Sequence, residues 1–79
     1  MKIVHLPLKG EYFDQIKEGP KTVEYRRRCR YWRVRLQGAT HAKFRRGYSN
    51  KETMLFKIVK TEEMRTAFRI QLGERVDEQ

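Results

Sequence analysis

The octapeptide GPKTVEYR, residues 19–26, decides how this chain is read. Gly19 followed by Pro20 stops a helix: glycine takes the left-handed conformation just past a helix end, and proline cannot continue it. From Lys21 to Arg28 the side chains alternate as in a strand. Val23 and Tyr25 share one face, while Thr22, Glu24 and Arg26 share the other. Lys21 stands where the chain leaves the helix, and Glu24 and Arg26 lie roughly 7 Å apart along one strand face. A lysine, an acid and an arginine thus sit within six residues at a helix-to-strand junction. Such a group can converge on a small pocket, or form an ion pair on a solvated face worth about 0–1 kcal/mol.

Working outward, Lys2 to Leu8 reads as a strand, and Pro7, which has no N–H for the sheet ladder, either places it at an edge or ends it there. Gly10 opens a short helix over Glu11 to Glu18, with Tyr12, Phe13 and Ile16 on its apolar side. Early Glu11 and Asp14 and late Lys17 suit the helix dipole. Beyond the octapeptide, Tyr31 to Leu36 fits two periods. Trp32, Val34 and Leu36 alternate as in a strand, whereas Trp32, Arg35 and Leu36 share a helical face. A turn follows around Gly38, then a short strand at His41 to Phe44 and a polar loop at Gly47 to Lys51. Thr53 to Val59 is a strand with Met54, Phe56 and Ile58 facing one way. Thr61 to Met64 reads as a connecting turn. Ala67 to Leu72 carries the clearest alternation, Phe68, Ile70 and Leu72 inward, closed by Gly73. Residues 75–79 are expected to fray. These elements predict an α+β domain: a small barrel or half-barrel of about five strands with one or two short helices.

Seventy-nine residues supply one core, so residues 1–79 are read as one domain. The formal charge is +9, and it is not evenly spread. Between Pro20 and Tyr48 ten basic residues face one acid, Glu24; elsewhere the charges cancel. Eight of the ten are arginine, whose planar fork pairs bidentately with phosphate and stacks on flat rings. Tyr25, Tyr31, Trp32, Phe44 and Tyr48 are interleaved with them. Phosphates need charge and unpaired bases need stacking, so this mixture points to single-stranded nucleic acid. An acidic protein partner fits the same charge.

Other classes find no support. No apolar run approaches the ~20 residues of a membrane helix, and the opening residues lack the apolar stretch of a secretory signal. A cytoplasmic protein is therefore expected. Cys29 alone makes no disulfide framework, and His5 and His41 lack metal-ligand spacing, so no metal or cofactor is expected. The glycines are scattered singly and form no phosphate-binding loop.

Gly19, Lys21, Glu24 and Arg26 match the pattern G-x-K-x-x-E-x-R, and in this they resemble the ASCH domain family, a branch of the PUA-like superfold. The segments IVHLPLKGEYFDQIKEG, YWRVRLQG, FRRGYSN and FRIQLGE are similar to family segments in the same order. The resemblance spans Lys2 to about Glu74. It implies a small β-barrel with flanking helices, RNA binding, and a cleft lined by Lys21, Glu24 and Arg26. It also implies an alternative, hydrolysis of RNA or of acetylated cytidine, with Lys21 and Glu24 as acid and base. Members with that activity use a lysine, a threonine and a distant glutamate. Lys21 matches the lysine, Glu24 occupies the threonine's place, and Glu62, Glu63 and Glu74 each remain open for the third. On the binding reading, Arg26, Arg27, Arg28, Arg30, Arg45 and Arg46 are expected to meet phosphates, and Tyr48 is expected to offer an exposed ring. A third reading is a small regulatory or viral protein that blocks an acidic partner.

Overall fold

The structure is a computed structural model that describes residues 1–49 and 51–76. Its elements run β1 (Ile3–Leu8), α1 (Gly10–Glu18), β2 (Val23–Arg27), α2 (Arg30–Leu36), β3 (His41–Arg46), β4 (Thr53–Glu63) and β5 (Ala67–Arg75). The five strands form one sheet in the order β1-β3-β4-β5-β2, curled into a half-barrel. β1 and β3 are parallel and the other pairs antiparallel. A parallel pair needs a long crossover, and here it contains α1, β2 and α2.

The octapeptide behaves as its sequence dictates. Gly19 adopts φ 104°, and its N–H donates to the Ile16 carbonyl, which ends α1. Phe13 and Ile16 of α1 enter the core beside Leu6, Phe44, Met54 and Ile70. Phe44 meets Phe56 edge to face at 5.9 Å. Each fully buried large side chain contributes about 2 kcal/mol relative to exposure. Pro7 does lie on an edge strand, where a missing N–H breaks no ladder.

The region with two possible periods is helical. Cys29 is extended at the start of α2, its carbonyl accepts from Arg33 N–H, and Leu36 alone is fully buried. The ammonium of Lys2 donates to the carbonyls of Val34 (3.2 Å) and Gln37 (2.5 Å). A cation there satisfies carbonyls that the helix leaves unpaired.

Two expected boundaries are corrected. Thr61 to Met64 is not a turn over its whole length, because β4 runs through Glu63, which pairs with Phe68. The end of this hairpin projects beyond the core, so burial imposes no alternation on its sequence. Backbone pairing and the cross-strand Glu62–Arg69 ion pair (2.9 Å) hold it instead. Nor does Gly73 close β5, which continues to Arg75. β4 is irregular opposite it, and a Cβ on Gly73 would stand 3.2 Å from a Val59 methyl. This glycine marks a close approach within a strand. Of the tail expected to fray, Arg75 lies in β5, and 77–79 lie outside the described residues.

Candidate nucleic-acid interface

Lys21, Glu24 and Arg26 do come together. Glu24 is 5% exposed, the one buried charged residue among those described. Its Oε1 lies 2.8 Å from Lys21 Nζ. Its Oε2 accepts from Arg26 Nη2 (2.8 Å) and Nε (3.1 Å). Arg26 Nη2 also donates to the Pro7 carbonyl at 3.0 Å. Since Pro7 is in β1 and Arg26 in β2, the guanidinium ties together the two free edges of the half-barrel. Both carboxylate oxygens are engaged, so an acid–base role for Glu24 would require releasing one cation. The group is a brace, and it is more deeply buried than a solvated ion pair.

Arg26 has a second face. Its guanidinium lies 5.1 Å from the Trp32 ring, at the wall of a cleft of about 500 Å³ between α2 and the β1 edge. Two further arginines line that cleft, each over a ring: Arg35 over Tyr31 at 3.5 Å and Arg45 over Tyr48 at 5.8 Å. Tyr31 and Trp32 meet edge to face at 4.9 Å. Lys2 and His5 complete the polar lining, and no described acidic residue contributes to it. A guanidinium over a ring keeps its N–H fork at the edge while sharing a flat surface. Three such pairs around one hollow set flat rings beside guanidinium groups within a single cleft, and of these Arg26 already gives Nε and Nη2 to Glu24 and Pro7.

The other expected site residues lie elsewhere. Lys21 and Glu24 do not line this cleft. Arg27 and Arg30 are exposed outside it. Arg46 pairs with Asp14 of α1. Arg28 pairs with Glu63 (2.7 Å) and donates to the Arg65 carbonyl. Arg33 reaches the other oxygen of Glu63 at 2.6 Å, so α2 is strapped to the β4–β5 hairpin. A groove of about 520 Å³ opens beside that strap, with Leu36, Ile58 and Phe68 in its floor and Arg33 and Glu63 on its rim. Sequence reading missed Arg35 because the register of Tyr31–Leu36 was open, and Lys2 because only the tertiary fold brings it to Val34 and Gln37. The Tyr31–Arg35 spacing of four becomes a contact only on a helix.

The hydrogen bond from Arg33 holds the Glu63 carboxyl below its ordinary pKa of 4.5, with Arg28 adding to the effect against the opposing cost of desolvation. A carboxylate with a lowered folded value stabilises the fold above its unfolded pKa, and that contribution is lost as pH falls through the folded value. Glu63→Gln should therefore melt below the parent at neutral pH. The difference should shrink steadily as pH falls below 4.5, a trend that thermal denaturation across that range would register. A constant difference at all pH values would refute it.

Among the described residues no three histidine, cysteine or carboxylate side chains gather as a metal site requires. No described helix is long and apolar enough to cross a membrane. No protein-family model matches the chain, and no curated protein matches it.

Proposed function

We propose that this protein binds single-stranded nucleic acid, RNA in the first instance, in the cleft between α2 and β1. The observation that carries the reading is the set of three arginine–ring pairs, Arg26–Trp32, Arg35–Tyr31 and Arg45–Tyr48, around one acid-free hollow. Bases stack on Trp32 and Tyr48 while phosphates meet the guanidinium edges. The resemblance to the ASCH family, with its proposed RNA binding, agrees with this. An acidic protein partner is served less well, because carboxylate peptides need cations but no row of stacking rings.

Trp32 is the only tryptophan in the chain, so its fluorescence reports on the cleft directly. Short oligouridylates should quench it on binding. With about three phosphates neutralised, affinity should fall about 20-fold between ~50 mM and ~200 mM salt, since each releases condensed counterions. Quenching without salt dependence, or salt-dependent association that leaves Trp32 unchanged, would count against the cleft. A parallel series with oligodeoxyuridylates separates RNA from DNA.

A further inference from the structure

The cleft does not end at Arg45. Arg45 and His5 also line a neighbouring hollow of about 320 Å³ on the outer face of the sheet, with Lys43 and Thr53. Lys43 and Thr53 in turn line a third hollow of about 440 Å³ that reaches Lys51. Neighbouring hollows share lining residues, first His5 and Arg45 and then Lys43 and Thr53, so they succeed one another as a furrow across β1, β3 and β4. Strand register explains the continuity: His5 stands opposite Lys43, and Arg45 opposite Thr53, on neighbouring strands. Cross-strand neighbours on one face approach within about 5 Å, so these groups form a close cluster.

Among the described residues no carboxylate lies within ion-pairing distance of Lys43 or Lys51. Glu52, the one acid among the described residues of the furrow's lining, is held by Lys17 at 2.7 Å. Few rings accompany these cations, in contrast with the cleft.

We infer that the outer face of β1-β3-β4 is a phosphate track, which carries the backbone of the same single strand onward from the cleft. The inference rests on the proposed nucleic-acid reading and extends it. The cleft takes bases on its rings, and the furrow, with His5, Lys43, Thr53 and Lys51, takes sugar-phosphate alone. The protein therefore binds a tract of several nucleotides rather than one nucleotide. It reads bases only at the cleft end, because the track offers donors to phosphate and little to base edges.

Length dependence tests this, with diuridylate and octauridylate as probes and Trp32 quenching as a readout common to both. The octamer is expected to bind at least tenfold more tightly at low salt. Lys43→Ala is expected to weaken the octamer about fivefold and to lower its salt slope by about 0.7, the contribution of one single-strand phosphate. The dinucleotide should bind this variant as it binds the parent, since it does not reach Lys43. Equal affinities for the two lengths, or an equal loss for both on Lys43→Ala, would overturn the track while the cleft stands. If neither probe quenches Trp32, cleft and track fall together. Lys43 is a surface strand residue, and a circular dichroism melt verifies that its replacement leaves the fold intact.

Discussion

Glu24→Leu is expected to be among the most damaging single substitutions in the chain. It removes the acid from between Lys21 and Arg26 and leaves a guanidinium, 17% exposed, facing an apolar side chain. Breaking a buried ion pair from one side costs about 3–5 kcal/mol, because the remaining charge keeps its desolvation penalty and loses its partner. A domain of this length has roughly 4–12 kcal/mol in total. At about 4–8 °C per kcal/mol, the lower cost already lowers the melting temperature by about 12 °C or more. The loss should extend to the cleft, because Glu24 holds the guanidinium that spans Pro7 and Trp32. The double variant Glu24→Leu with Arg26→Met isolates the cause. Removing both charges is often neutral for a buried pair, so much of the lost stability should return, but without Arg26 at the wall of the cleft. A single variant that melts within a few degrees of the parent would show that the brace carries little of the fold's stability.

The largest effect on binding without an effect on stability is expected at Tyr48. Its side chain is 84% exposed and joins no core contact, so Tyr48→Ala should melt with the parent. Stacking a base on an aromatic side chain contributes about 1–3 kcal/mol, so the variant should bind oligouridylate roughly 5- to 150-fold more weakly. Tyr48→Phe, which keeps the ring and loses the hydroxyl, should restore nearly all of it. If Phe and Ala variants weaken binding alike, the hydroxyl acts as a hydrogen-bonding group and the ring is not a platform. If neither changes affinity, Tyr48 lies outside the interface.

These effects differ in how far the sequence foretold them. The helix-to-strand junction was legible because its signals are local: a Gly-Pro stop, a two-residue period, and three charged groups within six residues. That Lys21, Glu24 and Arg26 meet was readable from those offsets. That they meet as a buried brace was not, since nothing local shows that Pro7 offers its carbonyl to Arg26. β4 was read too short for a related reason, and β5 because Gly73 reads locally as a stop. Alternation records burial, and the hairpin's end has none to record.

What the sequence alone determined is the class and the charge: an α+β chain with its apolar residues at strand and helix spacing, and an excess of arginine between Pro20 and Tyr48. These depend on nearest neighbours along the chain and on simple counting. Which arginines lie over a ring, which pair with Glu63 or Asp14, and that Arg26 does both, over Trp32 and on Glu24, was decided by tertiary structure alone. Ion pairs and stacked rings act over a few ångströms, and only the folding of β1 and β2 toward each other, with α2 laid across, brings residues distant in sequence within that reach.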